Sequence, residues 1–264
     1  MAFPSVHYGN FGDEKVTSTS KINGLPLGMK MILPDGSEYV HARAGGTAVV
    51  VSKIYQAATA AIHLTDTMLA KTLIPADSYA VGATTVAFTT GGTTAVATDA
   101  LADGYLVIAS GDGAGYKHKI KTNNSAASGS TTCTLTLYET DGLKVALAAG
   151  TTKLGVIPNS YAAVILTAAD TIGAKIAGVP ANSCAASAYF WAQRKGEAAV
   201  FTGGTVLLQR SPCVCSTAVA GAVVPIAVAA TTALLDTKES FQIIGVGLSS
   251  AATAGYSLVD LNIT

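Results

Sequence analysis

Short runs in which every second residue is apolar, cut by glycine-bearing turns, recur along most of this chain. Side chains on a strand alternate between faces, so a period of two encodes a half-buried strand. The clearest instance is LGMKMILPDGSEYVHARAGG at 27–46. Met29, Met31 and Leu33 alternate with Lys30 and Ile32. Pro34-Asp35-Gly36 supplies the turn, because Pro presets φ and Gly accepts φ > 0. Glu38, Val40 and Ala42 then alternate with Tyr39, His41 and Arg43, and Gly45-Gly46 ends the return strand.

From residue 82 the pattern is strand and turn throughout. Strands are expected at 84–90, ahead of Gly91-Gly92, and at 104–110 and 116–121 on either side of GDGAG. TNNSAASGS reads as a polar loop. The strand at 131–139 precedes Asp141-Gly142, a dipeptide that signals a hairpin. Later strands are expected at 162–168, 188–194, 198–202, 205–209, 241–247 and 255–263. Only 53–72, KIYQAATAAIHLTDTMLAKT, offers a helix of any length. Ala57, Ala58, Ala60, Ala61, Leu64 and Met68 line one face, against the extended preference of Thr59, Thr65 and Thr67. Strands and helices do not alternate, which argues against a parallel α/β sheet. The fold class predicted is mainly β: antiparallel β-sandwich or barrel-like modules, with an extended N-terminal arm and little helix.

The arm is residues 1–24, where Phe3, Pro4, Tyr8 and Phe11 are spaced too irregularly for a helical stripe. Separated aromatic anchors cannot bury one another, so the arm docks on a neighbour, folds back on the body or frays. AAGTTKLGVIPNS at 148–160 marks a boundary. The expected organisation is a β-rich body, 25–80 and 151–264, with a β-module inserted at 81–150. Gly-Gly-Thr at 45–47, 91–93 and 203–205 is irregularly spaced, which makes it shared turn chemistry rather than a repeat.

Charge narrows the function. Of 264 residues only 12% are charged, with 16 basic against 16 acidic and a net charge of +0; soluble domains average ~25% charged. The 50% hydrophobic content excludes disorder. Balanced charge argues against a nucleic-acid partner, which needs clustered Lys and Arg. Such a chain suits a rigid assembled shell. MAFPSVHYGNFGDEK has neither a basic n-region nor an apolar h-region and does not read as a secretory signal. The uncharged run at 211–235 is diluted by Ser and Thr and broken by Pro225, so no membrane partner is expected. Cys133, Cys184, Cys213 and Cys215 are expected as free buried thiols. Cys213 and Cys215 share a strand face, but no His or second Cys pair stands near them to complete a four-ligand zinc site. No metal or cofactor is expected.

A catalytic constellation does not emerge either. Glu38 and His41 fall on opposite strand faces. His118, between Lys117 and Lys119, reads as part of a solvated strand face. His63 and Asp66 form at most a helix surface pair. GDGAGYK lies between two strands, without the helix N-terminus a phosphate loop requires, and no G-x-S-x-G elbow occurs. A glycosidase would need two facing carboxylates, and carbohydrate sites carry aromatic platforms. The one Trp, Trp191, sits in AYFWAQRKG with Tyr189 on its face and Phe190 on the other, which suits a core or interface strand.

LGMKMILPDGSEYVHARAGGTAV resembles the opening of a group of tailed-bacteriophage virion proteins, in which such a hairpin precedes a β-rich body. VGATTVAFTTGGTTAVATDALADGYLVIASGDGAGYKHKIKTN and TLTLYETDGLKVAL are similar to that group's central β-module. YFWAQRKGEAAVF and the terminal YSLVDLNI resemble its later segments, so the likeness runs over most of the chain from Ile22 on. The resemblance implies a non-enzymatic capsid decoration (cement) protein. Such a protein binds the outer capsid surface, bridges neighbouring major capsid subunits and stabilises the expanded head, with itself as a partner in a homotrimer. It is made in the host cytoplasm and ends on the virion. A head fibre, tail fibre or receptor-binding role is the alternative. The contact residues expected are Phe3, Tyr8 and Phe11 of the arm with Tyr39 and Arg43 of the hairpin, and deletion of 1–20 is expected to abolish capsid attachment while leaving the body folded.

Overall fold

The computed structural model describes residues 6–58, 76–89, 95–127, 131–168, 174–203, 209–216, 218–226, 242–250 and 254–263. The chain forms two compact units: Met1–Ala58 with Ala163–Thr264, and Thr59–Ala162 inserted between them in sequence. Before the insertion run β1 (Val6–Tyr8), β2 (Lys30–Ile32), β3 (Glu38–Arg43) and β4 (Tyr55–Gln56). Within it run β5 (Thr85–Thr89), β6 (Tyr105–Ser110), β7 (Lys117–Asn123), β8 (Thr132–Leu137) and β9 (Lys153–Ile157). After it come β10 (Ile165–Leu166), β11 (Ile176–Pro180), β12 (Tyr189–Phe201), β13 (Pro212–Cys215), β14 (Val223–Pro225), β15 (Ile243–Gly247) and β16 (Tyr256–Asn262). With 45% of the described residues in strands and bridges and 4% in helical turns, the fold is mainly β, antiparallel and sandwich-like.

In the first unit the sheet order is β1-β2-β3-β12-β16-β15-β13-β14, with β4, β10 and β11 branching from β12. The predicted hairpin forms as read: Met31 opposes Tyr39, and the turn closes through Gly36 N–H to Leu33 O at 2.9 Å. β12 organises the unit. Its first half lies between β3 and β11, and its second half pairs with β16 over seven residues. Strands that pass from one layer to another do so at bulges. Here the register shifts between Gln193 and Lys195, and Gly196 sits at φ 88. Gln193 Nε2 donates to Lys195 O (3.2 Å) and Glu197 O (3.0 Å), holding the bulge closed. The two strands expected at 188–194 and 198–202 are therefore one, because the charged RKGE between them is a bulge and not a turn.

Two cores are seen among the described residues of this unit. One gathers Ile176, Val200, Cys213, Cys215, Val223, Ile244, Val259 and Leu261. The other lies under the N-terminal segment and holds Ile22, Leu25, Met29, Met31, Leu33, Tyr39 and Trp191. The inserted unit is one antiparallel sheet, β5-β8-β7-β6-β9. A lone sheet must cover its apolar face. Val96, Leu101, Leu143 and Leu147, from the connections, close over Val86, Phe88, Leu106, Ile108, Ile120, Leu135 and Leu154.

Several expectations need correction. Asp141-Gly142 does not make a hairpin: Glu139–Asp141 is a 3-10 turn, Gly142 has φ −60, and the next strand, β9, pairs with β6. Gly142 is required instead because a Cβ there would lie 2.6 Å from Gly82 O. His118 is not solvated. It is 1% exposed and faces the core beside Ile120, while the lysines flanking it point outward. The strand at 162–168 shrinks to Ile165–Leu166. The expected helix at 53–72 carries strand β4 at Tyr55–Gln56, and its part from residue 59 on, with His63 and Asp66, lies outside the described residues, as do residues 205–208 of the strand expected at 205–209. Among the described residues no helix is long and apolar enough to cross a membrane.

Candidate docking surface

The N-terminal segment folds back on the body. β1 adds to the edge of the sheet in parallel with β2, placing His7 opposite Met31 and Tyr8 opposite Ile32, and Gly9 N–H donates to Ile32 O at 3.0 Å. Beyond it the chain turns sharply. Asn10 N–H donates to Asp13 Oδ2 (2.8 Å), Gly12 N–H donates to Glu14 Oε2 (2.6 Å), and a 3-10 turn follows at Asp13–Lys15. Asn182 Nδ2 donates to Lys15 O at 2.9 Å. Ser18 and Tyr189 then exchange two backbone hydrogen bonds of 3.0 and 2.7 Å, and a second 3-10 turn buries Ile22. Polar turn residues thus tie the segment down at its loops, and one apolar anchor pins its end.

Between segment and sheet lies a cleft of about 370 Å³. Its floor is apolar: Ile22, Met31 and Trp191, all buried. Its rim carries His7, Tyr8, Asn10, Asp13, Val16 and Asn23. The His7 ring lies parallel to the Trp191 indole, with centroids 6.3 Å apart and an 8° interplanar angle. Below, the aromatic row continues: His41 meets Trp191 at 5.2 Å and Tyr189 at 5.5 Å, and the Arg43 guanidinium lies 5.6 Å from the Tyr189 ring centre. These contacts follow from register, because His41 opposes Trp191 and Arg43 opposes Tyr189 across the β3–β12 ladder. Facing cross-strand pairs are the units that stabilise a sheet.

The five expected contact residues separate. Phe3 lies outside the described residues. Tyr8, 78% exposed, is on the cleft rim, and Phe11, 68% exposed, sits on the loop between the rim residues Asn10 and Asp13. Tyr39 is buried in the core under the segment. Burial, with the carboxylates of Glu14 and Asp35 adding to it, pushes the Tyr39 phenol up to about 12. Arg43 is half-buried, held by Tyr189 and by a 3.1 Å hydrogen bond from its Nε to Ser187 O. Tyr39 and Arg43 therefore support the surface from beneath, and Tyr8 and Phe11 present it. Sequence reasoning missed His7, Asp13 and Val16. The available signal was that Trp191 shares a strand face with Tyr189 and needs a cover.

The cleft can bind. Its floor suits an aromatic or aliphatic side chain, and the Asp13 carboxylate with the Asn10 and Asn23 side chains can orient a polar group at the rim. Among the described residues no three His, Cys, Asp or Glu side chains are grouped to hold a metal ion. All four cysteines are free and buried, and burial raises their thiols above the usual range, to about 11 for Cys213 and about 12 for Cys215, which keeps them protonated near neutrality. Comparison with known protein families, with curated proteins and with solved structures finds no match.

Proposed function

We propose that this chain is a tailed-bacteriophage capsid decoration protein, which attaches to the outer surface of the head, bridges major capsid subunits and stabilises the expanded shell. The observation that carries this reading is the pairing of two exposed aromatics, Tyr8 and Phe11, with an aromatic-floored cleft on a segment hydrogen-bonded along its length to the sheet. Aromatic anchors in a pre-ordered setting lose little entropy on binding, and such residues dominate protein interfaces. Low total charge fits interface cores, which are depleted of charged residues. Many weak contacts repeated over a lattice give high avidity, and binding to the expanded shell alone stabilises that state by mass action. The resemblance of the first hairpin and central module to phage virion proteins points the same way.

The test is copy number, from quantitative mass spectrometry of purified particles ratioed to the major capsid protein. A ratio near one supports decoration. A ratio of a few per cent moves the assignment to a fibre or tail component, and absence from particles removes the virion reading.

A further inference from the structure

The face of β12, β16 and β15 that points away from the core is unusually apolar for an uncovered sheet. β16 alternates strictly, and its outward residues include Tyr256, 63% exposed, and Leu258, 39% exposed. Phe201 and Ala199 stand opposite these two on β12, and Val246 of β15 is exposed opposite Asp260. An antiparallel sheet with one solvated face ordinarily puts polar residues there. The groups of this face that make no ion pair among the described residues stand towards opposite ends, while Lys195, exposed beyond Glu197, is held by Glu38 at 3.6 Å. At one end Glu197 and Asp260 are directly opposed across the β12–β16 ladder, both exposed and neither with a cationic partner among the described residues. Like charges so placed repel. At the other end the Lys53 ammonium lies 5.5 Å from the Phe201 ring centre, and the Phe201 ring meets Tyr256 edge-on at 5.5 Å. Lys53 likewise makes no ion pair among the described residues.

We propose that this face is the site of pairing with a second copy of the same chain. The acidic pair and the cation lie about four residues apart along the strands, or ~13 Å at the rise of a β-strand. A two-fold axis lying between two such faces, across their strands and level with the Ala199–Leu258 pair, sets Lys53 of each copy over Glu197 and Asp260 of the other. Leu258 and Ala199 then meet their own copies at the axis, with Tyr256 towards the Lys53 end and Val246 towards the acidic end. The surface is self-complementary, as a two-fold contact requires. Each acidic pair gains the cation it lacks among the described residues of its own chain. Three strands, ~4.8 Å apart and roughly 20 Å long, offer a patch of roughly 300 Å² per copy, below the ~800 Å² per partner of a standard interface, so free chains pair weakly, with a dissociation constant on the order of micromolar or above. The pairing rests on this sheet face alone and stands apart from the cleft and its capsid reading.

The test is sedimentation equilibrium by analytical ultracentrifugation of the full chain, from about 5 to about 500 µM at low and high salt. The wild type is expected to dimerise, more weakly as salt rises. Lys53→Glu alone, and Glu197→Lys with Asp260→Lys, are each expected to weaken pairing at least tenfold. An equimolar mixture of the two variants is expected to recover the wild-type dimer, since each copy then meets its opposite at both ends. A monomer at every concentration, an unchanged constant in the variants, a mixture that stays monomeric, or a trimer would each overturn the proposal. Capsid binding by the variants is scored separately, so that its loss or retention bears on the cleft and not on this face.

Discussion

Asn123 shows how one polar side chain holds an irregular stretch in place. Its Oδ1 accepts from Leu101 N–H at 2.8 Å, and its Nδ2 donates to Ala97 O and Asn124 O at 2.9 and 2.7 Å. The residue is 3% exposed. Leaving such groups unpaired costs about 1–3 kcal/mol each, so Asn123→Ala is expected to lower the unfolding free energy of the inserted unit by about 3 kcal/mol in urea denaturation. Asp141 works similarly at the surface, accepting from Lys119 N–H at 2.5 Å and facing His118 Nδ1 at 3.4 Å. Buried acids with raised pKa set the alkaline limit. The thiols of Cys213 and Cys215 move from 9.0 to about 11 and 12, and the Tyr39 phenol moves from 10.0 to about 12, each chiefly through burial. The unfolded chain releases these protons first. Their contribution is complete below pH 9 and falls away as pH rises through 9–12, by on the order of 2 kcal/mol per group. Urea midpoints under reducing conditions should therefore drop between pH 9 and 11, and Cys215→Ala should flatten that drop.

At the scale of elements, the N-terminal segment takes one of the three courses open to it and folds back on the body. It is part of the sheet and the cover of a core, so removal of 1–20 would strip β1 from β2 and expose the Trp191 region. Point changes separate docking from folding. Tyr8→Ser with Phe11→Ser touches exposed rings only and is expected to leave the melting temperature within ~2 °C while reducing capsid binding at least tenfold in a co-sedimentation assay. β12 depends on its bulge. A Cβ at Gly196, already at positive φ, would lie 2.8 Å from Ser37 Oγ. Gly196→Ala is expected to cost about 1–3 kcal/mol, with amide exchange speeding up along β16 as well, because the second half of β12 is its pairing partner. The strand pattern was legible because alternation is local. The bulge was not, because Arg194, Lys195, Gly196 and Glu197 have the composition of a turn and only their neighbours β3 and β16 keep them extended.

Over the whole molecule, stability divides with the cores. Every residue of the Val86–Phe88–Leu135 cluster belongs to the inserted unit, and the clusters around Val200 and around Met31 belong to the other. Phe88 is fully buried, and truncating such a ring costs about 3–5 kcal/mol. Phe88→Ala is expected to raise amide exchange throughout β5–β9 and leave that of β3, β12 and β16 unchanged. Equal loosening of both units would refute separate cores.

The sequence by itself determined the class of fold, the first hairpin and the inward face of most strands, since a period of two and turn chemistry are properties of a few neighbouring residues. It also marked Phe3, Tyr8 and Phe11 as rings without local burial, because large rings among small polar residues find no cover nearby. Only the tertiary structure decided which rings stay outside. Tyr39 and Tyr8 look alike as sequence, yet one packs with Ile22 and Leu25 from a distant turn and the other is 78% exposed. His118 went inward for the same kind of reason: a sheet face becomes core when loops far along the chain, around Leu101 and Leu143, close over it. Burial depends on what arrives from elsewhere in the chain, and no local pattern carries that information.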